Sequence, residues 1–282
     1  MSEITLTECP RDALQGLHNF VPTTIKAAYI NLLLKCGFDT IDFGSFVSAK
    51  AIPQMQDTAA VLNLLDMGST KSKLLSIVAN YRGAEEAVHH DQITYLGFPF
   101  SISETFQKRN TNSSIETSLA TVERIQDLCR QKNKTLRIYL SMGFGNPYGD
   151  DWNIDILLKW ADAIIAAGIT DIYVADTTGV ATPGQITSVF NNLSAHTTIP
   201  FGAHLHSTPD TWHDKIDAAY QSGCRKFDTT IKGYGGCPMA ADDLTGNIAT
   251  ENLLAYLAEK KIDTGLNNDY FEHAMGYAAE IF

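Results

Sequence analysis

Short runs rich in β-branched and aromatic residues alternate with longer stretches whose apolar positions recur every three to four residues, from one end of the chain to the other. The strand-like runs occupy residues 4–8 (ITLTE), 40–44 (TIDFG), 73–79 (KLLSIVA), 93–98 (ITYLGF), 136–142 (LRIYLSM), 171–176 (DIYVAD), 201–206 (FGAHLH) and 226–231 (KFDTTI). Helical patterns span 23–35, 58–65, 83–89, 115–131, 154–167, 187–194, 210–222 and 251–260. Eight βα units in series predict an α/β fold, a closed TIM (β/α)8 barrel, as a single domain over residues 1–282 with an additional C-terminal helix across 267–282. An open doubly wound sheet is the weaker alternative, because no GxGxxG follows the first strand-like run.

Turn chemistry agrees with this division. Cys36-Gly37, Ala167-Gly168 and Ser222-Gly223 each put a glycine just past a helical pattern, where a left-handed residue closes the helix. Pro22, Pro183 and Pro209 stand near helix starts, where a missing N–H costs little.

The net charge of -11 argues against a nucleic-acid or anionic-membrane partner. Five cysteines (Cys9, Cys36, Cys129, Cys224 and Cys237), widely spaced and without a CxxC pair, indicate neither a disulfide framework nor a zinc knuckle, which fits a reducing compartment. No charged, apolar leader pattern opens the sequence and no run reaches the length of a membrane span, so a soluble cytoplasmic chain is expected.

In a barrel of this type the chemistry gathers at the carboxyl ends of the strands. Polar residues predicted there are Arg11 and Asp12, Asp42 and Ser45, Arg137 and Tyr139, Asp176, His204 and His206, then Cys237, Asn247 and Glu251 beyond the last strand. His204 and His206, two apart on a strand, share a face and can clamp a metal; a hydrogen-bonded pair without metal fits the same spacing. Adding Asp12 and the amide oxygen of Asn247 gives two nitrogens and two oxygens, a set that favours Mg²⁺ or Mn²⁺, although the histidines also admit Zn²⁺, Co²⁺ or Fe²⁺. Arg11 is suited to a developing negative oxygen such as an enolate. Asp42, Asp176 and Glu251 are candidates for orienting the arginine or the metal ligands, although Asp176 also suits a turn and Glu251 a helix N-terminus. Cys237 sits in GYGGCPMA, where flanking glycines give its sulfur no strand or helix face to pack on, so a reactive thiol on a movable loop is expected.

Together the segments ECPRDALQ, GSFVSAKAIPQM, KRNTNSSIE, ADTTGVATPG, HLH, GGCP and TGNIATE resemble, in order and spacing over most of the chain, the 3-hydroxy-3-methylglutaryl-CoA lyase family of metal-dependent TIM-barrel lyases. The related isopropylmalate and homocitrate synthases share the arginine-aspartate start and the His-X-His but lack the GGCP loop. The resemblance implies that Asp12, His204, His206 and Asn247 hold a divalent cation, that Arg11, Cys237 and Glu251 serve the reaction, and that His204 takes the proton of a tertiary hydroxyl. Arg11 would then stabilise an acetyl-CoA enolate and Cys237 deliver a proton, releasing acetoacetate and acetyl-CoA from an acyl-CoA substrate; a homodimer is also implied. Arg109 and Asn110 are candidates for the CoA entrance. Departures from the family pattern are Ala13 in place of glycine, Asp42 in place of glutamate and Ser207 in place of aspartate. They leave room for a related hydroxy or oxo acid as substrate, or for a silent acyl-CoA-binding barrel. A Schiff-base aldolase using Lys232 is the remaining enzymatic alternative.

Overall fold

The computed structural model describes residues 4–236 and 245–282. Eight parallel strands close into a barrel: β1 (Thr5–Glu8), β2 (Thr40–Ser45), β3 (Lys73–Ile77), β4 (Ile93–Ser101), β5 (Thr135–Ser141), β6 (Asp171–Ala175), β7 (Phe201–His204) and β9 (Lys226–Thr229). Each strand pairs with its neighbour in sequence, and β1 closes the ring against β9 with Thr5 opposite Lys226 and Glu8 opposite Thr229. Two further strands, β8 (His206–Ser207) and β10 (Gly246–Asn247), form a small antiparallel ladder over the barrel mouth.

Around the ring run α2 (Thr23–Cys36), α3 (Thr58–Leu62), α4 (Tyr81–Ala87), α6 (Ile115–Gln131), α7 (Ile154–Ala166), α8 (Pro183–His196), α9 (Trp212–Gln221), α10 (Thr250–Glu259) and the C-terminal α11 (Asn268–Ile281), which packs on α2. Their apolar stripes meet the outward faces of the strands in one core that includes Leu33, Ile41, Leu96, Ile138, Leu157, Ile186 and Leu253. Two short helices, α1 (Pro10–Gln15) and α5 (Glu104–Thr111), were not expected from the hydrophobic pattern. Each has too few turns to display periodicity, and Pro10 at the first turn of α1 reads in sequence as a loop signal.

Four strand runs end two or three residues away from expectation, the first being β3, which stops at Ile77 and not at residue 79. β4 runs on to Ser101, because its Pro99, Phe100 and Ser101 still pair with Tyr139, Leu140 and Ser141. The run at 201–206 is not one strand: β7 stops at His204, and His206 leaves the barrel to pair with Asn247. The last run ends at Thr229, after which residues 231–233 make a 3-10 turn with Lys232 at φ 59°.

Inside the barrel, the layer toward the strand N-termini is polar. Arg137 lies here and not at the mouth where its sequence position had placed it: it binds Asp171, the first residue of β6, through Nε at 2.8 Å, and Thr7 through Nη1 at 3.0 Å. Its guanidinium also lies over the Tyr173 ring, 4.3 Å from the centroid. Above it Tyr139, Tyr173, Leu75 and Ile77 form an apolar floor.

Candidate active site

A cavity of about 360 Å³ stands on that floor at the carboxyl ends of the strands, lined in part by Arg11, Asp12, Gln15, Tyr139, His204 and His206. Its rim carries Arg109 and Asn110 from the last turn of α5, with the Arg109 guanidinium over Tyr148 at 4.6 Å.

Helix α1 begins two residues after β1, so Arg11 and Asp12 are carried on its first turn above the barrel axis. Arg11 is buried and gives Nη1 to Asp12 Oδ1 and to Gln15 Oε1, both at 2.8 Å. Its Nε and Nη2 go to Asp42 Oδ2 at 3.0 and 2.5 Å. Burial opposes the guanidinium charge, yet Asp42 and Asp12 outweigh it and hold Arg11 protonated. Gln15 Nε2 and Asn247 Nδ2 complete the shell of Asp12, at 2.8 and 2.7 Å. Burial works against the Asp12 carboxylate, but Arg11 and the two histidines bring its pKa below the usual carboxylate value.

Asp12, His204 and His206 each offer a ligand atom, and these atoms lie within 4.8 Å of one another. His204 is oriented by Asp228, whose Oδ2 stands 3.2 Å from Nδ1, so Nε2 is the ring nitrogen left open. Burial opposes protonation of His204, but Asp228 more than offsets it and raises its pKa. His206 is different: it is 2% exposed, and neither ring nitrogen has a hydrogen-bond partner among the described residues. Burial, with His204 beside it, pushes its pKa down to about 4. A neutral, buried imidazole with two orphaned nitrogens, facing a carboxylate and a second imidazole, is the donor set a divalent cation completes. The residues therefore fit a metal.

The other expected site residues occupy distinct positions. Asn247 joins the group, but its amide gives both hydrogens away, to Asp12 Oδ2 and to the Tyr234 carbonyl at 3.0 Å; in this arrangement it orients Asp12 and turns a donor toward it. Asp42 lies fully buried beneath Arg11. Asp176, one residue past β6, is held by Lys215 Nζ at 2.8 Å and by the Ala181 N–H at 3.0 Å. Glu251 does not line the cavity; its Oε2 accepts the Lys232 backbone N–H at 3.0 Å. The Lys232 side chain is exposed and likewise absent from the lining, which removes the geometric basis for a Schiff base there. Cys237 lies outside the described residues, although the loop leading to it is placed: a Cβ on Gly235, at φ +85°, would come 2.6 Å from the Asp12 carbonyl oxygen, so only glycine lets this strand of chain approach Asp12 so closely.

Sequence reasoning missed Gln15, Asp228 and Lys215. Gln15 follows Arg11 by four residues and Asp12 by three, a signal that becomes readable only once residues 10–15 are known to be helical. Asp228 could have been found from the alternation of KFDTTI, which turns a carboxylate to the inside of the barrel.

A family model described as HMGL-like matches residues 4–275. The chain belongs to the HMGL-like family. The hydroxymethylglutaryl-CoA lyase of Bacillus subtilis (strain 168) is 33% identical to this HMGL-like chain over 268 residues, covering 94% of the chain and 88% of the relative. The crystal structure of the B. subtilis HMG-CoA lyase superposes with a TM-score of 0.93 at 31% identity, covering 99% of this chain and 94% of that one. An HMG-CoA lyase from Acinetobacter baumannii, solved in complex with coenzyme A and 3-methylmalate, matches with a TM-score of 0.89 at 29% identity over 96% of this chain and 88% of its own. Among the described residues of this HMGL-like barrel, no helix is long and apolar enough to cross a membrane.

Proposed function

We propose that this chain is a divalent-metal-dependent carbon–carbon lyase of the cytoplasm, working as a single domain, that cleaves 3-hydroxy-3-methylglutaryl-CoA or a close 3-hydroxyacyl-CoA to acetyl-CoA and acetoacetate. The observation that carries this reading is the unpartnered His206 imidazole facing Asp12 and His204, with the Arg11 guanidinium beside them in one cavity. The named relatives supply the substrate class.

Asp12, His204 and His206, with Asn247 alongside, would hold Mg²⁺ or Mn²⁺, which when bound supplies Lewis-acid stabilisation of negative oxygen. Asp228 occupies Nδ1 of His204, leaving Nε2 as its one open nitrogen; in the cleavage step Nε2 takes the tertiary hydroxyl proton, while Asp12 and His206 would keep hold of the cation. As that proton leaves, the C3 oxygen becomes the ketone of acetoacetate, the bond between C3 and the carbon next to the thioester breaks, and its electron pair stays on the acetyl-CoA fragment as an enolate. Arg11, fixed by Asp42 and Gln15, presents its charge to that enolate oxygen. Cys237 returns a proton to the carbon. The four other cysteines are poor proton donors, because burial pushes Cys36, Cys129 and Cys224 up to about 12, and Cys9 well above its usual value.

Arg109 and Asn110, which line the rim, are the candidates for contact with the CoA portion of the substrate. Incubation with Mn²⁺ or Mg²⁺ and hydroxymethylglutaryl-CoA, with acetyl-CoA and acetoacetate measured together, tests the reading. Equimolar products are expected; no turnover of this substrate or of related 3-hydroxy-3-methylacyl-CoA thioesters would refute it.

A further inference from the structure

Lys215 is a buried cation that the mechanism above leaves unused. It lies in the first turn of α9, 3% exposed, where the helix N-terminus already carries partial positive charge. A lysine there is doubly disfavoured, by burial and by the helix dipole, and it is retained only if its partners compensate fully. They do: Nζ donates to Asp176 Oδ2 at 2.8 Å, to the Gly179 carbonyl at 3.0 Å and to the His206 carbonyl at 2.7 Å, using all three N–H bonds.

Those acceptors come from the segment after β6 and from β8, which Lys215 joins to α9. The His206 backbone has need of such a tie. His206 has left the barrel ladder; among the described residues its register is held by the two-residue pairing with β10 and by the Ile248 N–H on the Leu205 carbonyl at 3.2 Å. Its imidazole has no hydrogen-bond partner to fix the ring among the described residues. Asp176 meanwhile gives its backbone N–H to the His204 carbonyl at 2.9 Å, so the same lysine is one bond removed from the other histidine.

We propose that Lys215 is a positioning residue that fixes the backbone of His206, and through Asp176 that of His204, so that the two imidazoles stand ready for a divalent cation. The ammonium acts as a strut; its charge is cancelled by Asp176, and Asp176 is thereby kept as an acceptor for Lys215 and Ala181. This rests on the reading of Asp12, His204 and His206 as the cation site.

The test is Mn²⁺ titration by electron paramagnetic resonance, with melting temperature and imidazole NMR of the metal-free protein on the same samples. Lys215→Met combined with Asp176→Asn removes one positive and one negative charge together, so the net charge of the site is unchanged and only the strut is lost. The double variant should bind Mn²⁺ about 10- to 100-fold more weakly than the unsubstituted protein, with exchange-broadened His206 signals before any metal is added. Lys215→Gln, with two N–H bonds and a shorter reach for three acceptors, carries the test if the double variant does not fold; it should bind Mn²⁺ about 10-fold more weakly, although removing a positive charge would by itself tighten binding. Parent-like affinity in the folded double variant, or in Lys215→Gln where the double variant does not fold, overturns the proposal while the cation site stands. Absence of Mn²⁺ binding by the parent overturns the cation site and this proposal with it.

Discussion

Asp42 Oδ2 accepts from both Nε and Nη2 of Arg11, at 3.0 and 2.5 Å, while its Oδ1 meets no partner among the described residues. A single oxygen thus sets the plane of the guanidinium at the cavity wall. The resemblance to hydroxymethylglutaryl-CoA lyases had raised the question of what an aspartate does where glutamate is usual, and the answer here is geometric. The shorter side chain reaches Arg11 directly from the middle of β2.

Removing this partner should be costly. Asp42→Ala leaves Arg11 buried without its closest counter-charge, and breaking such a pair typically costs about 3–5 kcal/mol. Asp42→Glu restores the charge but forces a methylene into a fully buried position, costing about 1–3 kcal/mol, and shifts the guanidinium. Calorimetric melting should therefore rank the parent above Asp42→Glu above Asp42→Ala, with kcat reduced in both variants. Unaltered kcat in Asp42→Glu would show that the placement of Arg11 is not critical.

Metal dependence follows from the orphaned His206 ring. Dialysis against a chelator should abolish turnover, and added Mn²⁺ should restore it in the parent. In His206→Ala the same Mn²⁺ concentration should fail to restore activity, because a direct ligand is lost and the affinity falls by more than the ~10- to 100-fold expected for a supporting residue. A His204→Ala, His206→Ala double variant that bound Mn²⁺ at parental strength would disprove the assignment.

Exchange for serine tests the role of Cys237. Serine is close in size to cysteine but a poorer acid at neutral pH, and general acid catalysis contributes about 10²- to 10⁴-fold. Cys237→Ser should lose kcat within that range and keep its melting temperature, bound metal and most of its substrate affinity. Undiminished kcat in a stable variant would take Cys237 out of the mechanism; a lowered melting temperature with kcat unchanged per folded molecule would mark it as a packing residue.

Glu8 gives a pH signature that belongs to stability. It is fully buried, its oxygens accepting from the Ile231 N–H at 2.8 Å and the Thr250 hydroxyl at 2.5 Å. Burial raises its pKa from 4.5 to about 8, the hydrogen bonds only partly opposing it. Between these values the folded chain holds a proton that the unfolded chain has released, so the contribution of Glu8 to stability is fully present below about pH 4.5 and is lost as pH rises through about 8. Glu8→Gln removes that proton linkage. Denaturant melts at several pH values should show a flatter dependence between pH 5 and 8 for the variant; identical slopes for variant and parent would show that Glu8 ionises normally.

The order of elements was legible because it depends on short-range patterning. Strand runs of alternating or continuous apolar residues, helices with one apolar face and glycines such as Gly37, at φ +88° past α2, each record a local requirement of the backbone. The helices α1 and α5 escaped because a turn or two of helix shows no period. Of the site, Arg11, Asp12, His204 and His206 were legible because strand ends in a barrel converge. Arg137 was misplaced by the same logic, since a residue early in a strand faces the opposite end of the barrel.

The sequence by itself determined the barrel, the succession of its strands and the residue types that gather at its mouth, since these follow from periodicity and from a topology that admits few alternatives. Only the tertiary structure decided which of those residues touch. It set Asp42 under Arg11, turned the Asn247 amide toward Asp12, aimed Asp228 at His204, tied Lys215 to the His206 backbone and left Glu251 on the Lys232 N–H away from the cavity. Such contacts join residues up to 235 positions apart. They depend on side-chain reach and on competition among buried donors and acceptors, which no local pattern in the chain encodes.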